Sequence, residues 1–180
     1  MLVVSSNFPP YCIGGENDTA EGIYVEIMKE LLKPLGAVPV FQIVPFKRGL
    51  TFLSAGQADA MIGLFRTPER ERSLHFLEPP YRTNSFKALF VAKGRGGTIK
   101  TYQDLYALHG IGVVSGFKYF PPFDEDAWLK KDESPNNLVG LRKLVNGRLD
   151  AMLLQEDIGD YLVTTLNLQD KIEKAQFKHS

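Results

Sequence analysis

Thr67-Pro68-Glu69-Arg70 is the segment whose residue types and order best suit chemistry on an anion. Thr67 is placed to cap a helix, and Pro68 suits the first helical position. The free N–H groups of such a helix end attract anions. Arg70 adds a planar fork that can hold a carboxylate through two parallel hydrogen bonds, and Arg66 adds charge at the loop tip. The alternative is that Arg66, Arg70 and Arg72 form a solvated face paired with Glu69 and Glu71. Ser115-Gly116-Phe117-Lys118 is a second such place: the glycine admits a close backbone approach and Ser115 can cap a following helix, unless it is a plain turn. Phe8, Tyr11, Phe46, Phe65 and Phe117 stand at strand ends or loops, where they can wall a small-molecule pocket or simply join the core. A catalyst needs a positioned acid or base. The candidates are His75, His109 and Glu78, none of them at a strand end; His75 and His109 read as surface or packing residues and His179 as tail. There is no Gly-x-Ser-x-Gly, phosphate loop or paired zinc motif. Cys12 is alone, and no Cys/His cluster has metal-ligand spacing, so neither metal nor cofactor is expected.

Short apolar runs alternating with helical patterns predict an α/β protein with substantially parallel sheets. Strands are expected near 2–5, 38–44, 58–63, 86–92, 111–114, 149–153 and 172–177, and helices near 23–35, 46–55, 68–73, 102–107, 137–146 and 155–166. In the first helix Ile23, Ile27, Leu31 and Leu35 recur every fourth residue, with Gly36 placed to end it. Leu53-Ser-Ala-Gly56-Gln-Ala-Asp59-Ala60-Met61-Ile62 recurs as Leu144-Val-Asn-Gly147-Arg-Leu-Asp150-Ala151-Met152-Leu153, an offset of 147 − 56 = 91 residues. Each copy reads as a helix end, a terminating glycine, a polar turn and a buried strand, which predicts two lobes of similar build. The glycine-rich stretch Lys93-Gly94-Arg95-Gly96-Gly97 is the expected join. In open parallel sheets ligands bind beyond the carboxyl ends of the strands, where both the Thr67 and the Ser115 segments fall.

The chain has 180 residues, 44% hydrophobic and 23% charged, which excludes a disordered chain and a mini-protein. Lysine plus arginine equals aspartate plus glutamate at 21 each, so no net field draws in nucleic acid or an anionic membrane. No apolar run approaches the roughly 20 residues needed to cross a bilayer. Met1 to Asn7 lack the basic and apolar regions of a signal peptide, so a secreted protein would already have lost one.

Several segments in order resemble bacterial extracellular solute-binding proteins of family 3, the periplasmic receptors of polar amino-acid ABC transporters. They are Phe8-Pro9-Pro10-Tyr11, Gly22-Ile23-Tyr24-Val25-Glu26, Gly56-Gln-Ala-Asp59, Thr67-Pro68-Glu69-Arg70, Phe76-Leu-Glu78-Pro79, Asp104-Leu105, Gly112-Val113-Val114-Ser115-Gly116 and Gly147-Arg148-Leu149-Asp150. The resemblance covers nearly the whole chain. It implies a two-lobe, type II periplasmic-binding fold closing on a solute held in a cleft between lobes. Lobe 1 would span 1–92 without its closing strand and terminal helix, the hinge 93–97, and lobe 2 98–180. By resemblance Tyr11 covers the ligand, Gly63 turns backbone toward its amino group, Thr67 donates a hydrogen bond and Arg70 clamps the α-carboxylate. Ser115, Gly116 and Phe117 fall where members cover the carboxylate from the second lobe. Two positions depart from the family pattern. Phe65 stands where many members carry serine or threonine. Gln155 stands where an aspartate receives the ligand's ammonium, with Glu156 or Asp157 as substitutes if the register shifts. A buried ammonium without a counter-charge is costly, so the ligand need not be an α-amino acid. The resemblance implies a non-enzymatic receptor for an amino acid or similar small carboxylate, delivering it to an ABC transporter permease. The alternatives are a ligand-sensing domain, a dehydratase- or lyase-like enzyme on the same fold, and a module that lost its ligand.

Overall fold

The β-branched and apolar runs become short strands, and those at 2–5, 87–92, 111–114 and 151–155 are buried on nearly every residue, as the inner strands of a covered sheet are. In the computed structural model, which describes residues 1–15 and 19–179, the chain divides into two compact units, Met1–Tyr81 and Arg82–Ser180.

The first unit is built on β1 (Leu2–Ser5), followed by a small antiparallel hairpin of β2 (Ile13–Gly14) and β3 (Ala20–Glu21). Then come α1 (Ile23–Leu32), β4 (Val40–Ile43), α2 (Phe46–Ser54), β5 (Ala60–Met61) and the single turn α3 (Pro68–Glu71). Its sheet is parallel, in the order β4-β1-β5. The four-residue repeat of α1 is not its most buried stripe. Tyr24, Val25, Met28 and Leu32 are buried, while Ile23, Leu31 and Leu35 are exposed. A strict four-residue repeat drifts against the 3.6-residue turn, and the competing set contains the aromatic Tyr24. Pro34 removes the N–H that the next α-helical turn needs, so residues 33–35 tighten into a 3₁₀ turn, which Gly36 closes at φ 62°.

The second unit contains β6 (Lys87–Ala92), β7 (Ile111–Val114), α4 (Pro121–Glu125), β8 (Lys131–Ser134), α5 (Asn137–Val145), β9 (Ala151–Gln155), α6 (Glu156–Thr165) and β10 (Ile172–His179). Its sheet runs β10-β6-β9-β7-β8, with β6 alone running against its neighbours. Residues 103–107, expected as a helix, form a 3₁₀ turn. The structure draws the boundary between units ahead of the expected hinge at 93–97. β6 is paired on both edges, which ties the glycine-rich stretch to the second unit: Lys93 N donates to Lys171 O (2.9 Å) and Gly96 N to Glu173 Oε1 (2.6 Å).

The repeat has a structural meaning in each unit. Gly56 and Gly147 both take φ 68° after a helix. The Asp59 carboxylate then accepts from Leu2 N (2.6 Å), at the start of β1, and the Asp150 carboxylate from His109 N (2.5 Å), just ahead of β7. Each aspartate thus fastens the strand that follows it to its parallel neighbour.

One face of the second sheet packs Leu89, Val91, Ile111, Val113 and Leu153 against Phe120, Phe123 and Leu129. On the other, Phe90 lies against α6, where a Cβ on Gly159 would fall 2.1 Å from its ring. Gly159→Ala is therefore expected to destabilise by about 1–3 kcal/mol despite alanine's better helix propensity. The urea midpoint measures it, and an unchanged midpoint would mean that the ring yields freely.

Candidate functional site

Beyond β5 the chain turns through Ile62 to Arg66 into Thr67, whose extended backbone and side chain cap α3: Thr67 Oγ1 accepts from Arg70 N at 3.2 Å. The cap is where the sequence places it. A one-turn helix carries little macrodipole, however, so the positive charge here belongs to the Arg70 guanidinium rather than to the helix end. Arg70 is only 8% exposed. Its Nη1 donates to Phe65 O (2.9 Å), and its guanidinium carbon lies 5.7 Å from the ring centroid of Phe46, the buried first residue of α2. A carbonyl and an aromatic face thus help to hold the guanidinium in place. The solvated-face reading fits Arg66 and not Arg70. Arg66 is exposed, pairs with Glu71 (2.7 Å) and Glu78, and lies over Phe76, so it does not add a site charge. Phe65 is 40% exposed beside this anchor.

An aromatic cluster accompanies it in the same unit. Tyr11 lies 4.9 Å from Tyr24 and 6.0 Å from Phe8, ring centroid to ring centroid; Tyr24 meets Tyr81 edge-on at 5.8 Å, and Tyr81 Oη donates to Tyr24 Oη (3.0 Å). Gly63 takes φ 84°, and a Cβ there would fall 2.6 Å from the Tyr24 ring. The glycine is thus demanded by the tyrosine. The sequence does not mark Tyr24 and Tyr81 as site residues; the signal for Tyr24 is its place two residues after Gly22, which reads only as a helix start.

In the second unit the Ser115 segment is a tight turn. Gly116 takes φ 82°, and Phe117 N donates to Val114 O (3.0 Å). Ser115 does not cap a helix, because α4 starts only at Pro121; its N–H donates to Ser134 O (2.9 Å) at the end of β8. The turn is braced by Tyr119, whose Oη accepts from Val114 N (2.8 Å) and whose ring lies 6.3 Å from that of Phe117. Burial pushes the Tyr119 phenol up.

Gln155 ends β9 and opposes Lys87, the first residue of β6. Gln155 Nε2 donates to Ser85 Oγ (2.8 Å), and Oε1 is buried without a hydrogen-bond partner among the described residues. Lys87 is 2% exposed, and its Nζ donates to Ser85 Oγ (2.6 Å) and Ser85 O (3.3 Å). Burial, helped by the charge of Arg82 and opposed by Asp157 and Asp124, lowers its ammonium to about 8. In the sequence Lys87 is visible only as a cation opening an otherwise apolar strand, Phe86-Lys87-Ala88-Leu89-Phe90. Glu156 accepts from Lys174 (2.8 Å) and Lys178 (2.6 Å), and Asp157 pairs with Arg82 (2.9 Å), so both suggested substitutes for the missing aspartate are already bound to cations. With Arg82, Phe86 and Asp160 they line a cavity of about 190 Å³.

The residues weighed as catalysts have other surroundings. His75 and His109 are exposed, Glu78 pairs with Arg66, and His179, expected as tail, ends β10 and stacks on Phe120 at 3.9 Å. Cys12 is buried and its thiol is pushed up. Among the described residues no cluster of His, Cys, Asp and Glu can hold a metal, and no helix is long and apolar enough to cross a membrane.

Residues 1–170 match the family described as bacterial extracellular solute-binding proteins, family 3. The L-cystine-binding protein TcyJ of Escherichia coli strain K12 is 27% identical over 164 residues, covering 86% of this chain and 58% of TcyJ. ABC transporter arginine-binding protein 1 of the same strain is 30% identical over 154 residues, covering 83% of this chain and 60% of that protein. The chain thus spans less than two thirds of the length of these curated relatives. Among solved structures, an ancestral arginine-binding protein bound to arginine superposes with a TM-score of 0.80 at 24% identity, over 97% of this chain and 76% of that one. A truncated, arginine-bound ArgBP from T. maritima gives 0.84 at 22% identity, over 99% and 82%. The fold is that of the periplasmic amino-acid-binding proteins, and the relatives are binding proteins rather than enzymes. With the match running through 170 of its 180 residues, this chain belongs to the bacterial extracellular solute-binding proteins, family 3.

Proposed function

We propose that the chain is the solute-binding part of a periplasmic receptor for a small carboxylate, an amino acid or a similar acid, that delivers it to an ABC transporter permease through an open-to-closed change of state. The observation that supports this reading best is the buried Arg70, held by Phe65 O and the Phe46 ring and flanked by Thr67. A guanidinium fixed in one orientation has already lost its rotamer freedom, so a carboxylate meets a preorganised fork. Tyr11, Phe65 and Phe117 supply apolar wall, with the Gly63 backbone and the donors of Thr67, Ser115 and Gly116 completing the polar contacts. The names of the relatives, which bind cystine and arginine, favour an amino-acid-sized solute.

Thermal unfolding with a panel of amino acids, small carboxylates and peptides tests the proposal. A ligand at 100 times its dissociation constant should add about 2.7 kcal/mol of stability. Mass spectrometry should then recover that ligand unchanged, as a receptor requires. A panel that leaves the unfolding temperature fixed throughout, or a ligand recovered as product, contradicts it.

A further inference from the structure

We infer that Ser134 and the first turn of α5 form a binding site for a small oxyanion, a carboxylate or a phosphate. The site lies wholly within the second unit and is independent of the Arg70 anchor. Its placement comes from the sheet. β7 and β8 run parallel, with Gly112 beside Asp132 and Val114 beside Ser134, so these four positions share one face. α5 covers that face. Asp132 Oδ1 accepts from Lys143 Nζ, and the Met152 side chain separates the sheet from the helix: a Cβ on Gly112 would fall 2.5 Å from its Sδ, and one on Gly140 2.5 Å from its Cε. Lys143, late in α5, meets Asp132, and the helix begins two residues after Ser134, at the Asn136 cap. Ser134 therefore ends β8 at the level of the first turn of α5, with its side chain on the side that the helix covers.

The chemistry comes from donors that the fold itself does not use. Ser134 is 1% exposed, and its Oγ has no hydrogen-bond partner among the described residues. A buried hydroxyl without a partner is costly, and an alanine would fill the position without that cost. The main chain of Ser134 is engaged, its carbonyl accepting from Ser115 N (2.9 Å), so only the hydroxyl is left over. At the start of α5 the Asn136 carboxamide accepts from Val139 N (3.0 Å), and Asn136 O accepts from Gly140 N (3.2 Å). The N–H groups of Asn137 and Leu138, ahead of these, have no carbonyl to reach within the helix. Two adjacent N–H groups at the positive end of a nine-residue helix, with a hydroxyl beside them, suit one small anion. The carboxylates nearby do not take that place. The first turn of α5 carries no acidic residue, and Asp132 is held by Lys143. Glu133 alternates to the opposite face of the strand, where its charge acts on Tyr119.

Amide NMR of the full chain, titrated with sodium phosphate, sodium acetate and sodium chloride at equal ionic strength, tests this in wild type, Ser134→Ala, Ser134→Thr and Arg70→Ala. Phosphate or acetate should move the Ser134, Asn137 and Leu138 signals of wild type saturably, and chloride should not. Ser134→Ala should weaken that binding about tenfold, the usual loss of a hydrogen bond to a charged group. Its unfolding temperature without anion should hold or rise, because the hydroxyl it removes has no partner. Ser134→Thr keeps the hydroxyl and should keep the affinity, and Arg70→Ala should leave the shifts in place. Signals that neither oxyanion moves, or that chloride moves equally, would overturn the site. So would wild-type affinity in Ser134→Ala, or shifts that vanish in Arg70→Ala.

Discussion

Arg70→Ala is expected to weaken solute binding by about 2–5 kcal/mol, the usual loss on truncating one partner of a buried charge pair. In affinity that is roughly thirtyfold to several-thousandfold. The size follows from burial: a carboxylate placed beside the Phe46 ring and Phe65 O loses its water and finds no second cation in Arg66, which Glu71 and Glu78 already neutralise. The Thr67 cap should survive, because it is made to the backbone N–H of Arg70. Arg70→Lys separates charge from geometry: it keeps the cation but loses the fork, so an intermediate loss is expected. Calorimetry with the solute found by thermal unfolding measures both variants. Equal affinity in wild type and Arg70→Ala would remove Arg70 from the site.

The second large effect concerns stability. The Lys87 ammonium titrates near 8 in the folded chain and near 10.5, its ordinary value, in the unfolded one. Below pH 8 both states hold the proton, and burial of the charge is a standing cost. Between about pH 8 and 10.5 the unfolded chain binds the proton that the folded chain has released, so this group makes the protein more stable as pH rises. The full contribution is up to about 3 kcal/mol. Lys87→Met should abolish the rise and be the more stable protein at pH 7. The raised phenols of Tyr102, Tyr106 and Tyr119 act in the opposite sense above about pH 10, so the difference between wild type and variant from pH 7 to 9.5 is the quantity to read. Parallel curves for the two proteins would contradict a buried ammonium at this position.

The elements that were legible are those in which one local signal agreed with burial. β1 and β7 are continuous apolar runs, and their expected and observed bounds coincide. Asn137 to Asn146 was legible as a helix that the structure begins at Asn137, with the Asn136 side chain accepting from Val139 N. β8 was not, because Lys131-Asp132-Glu133-Ser134 is a polar edge strand whose partner β7 supplies the pairing. The buried face of α1 is not legible, because two apolar stripes compete there and only tertiary packing decides between them. In the candidate site, the Thr67 cap ahead of Arg70 is legible from residue order, since a cap and its helix are local. The distinction between Arg66 and Arg70 could not, because it depends on Glu78, twelve residues after Arg66, and on Phe46, far behind both. Lys87 and Gln155 are brought together only by strand register, and a single sequence does not display register.

The central claim is that this chain recognises its solute by a carboxylate. Its most direct test is calorimetric titration of wild type with the solute found by thermal unfolding, compared with versions in which each carboxylate in turn is converted to the methyl ester. At least one ester should lose the affinity that Arg70→Ala loses, and should bind wild type and Arg70→Ala alike. Esters that all bind wild type as tightly as the parent acid would contradict the account.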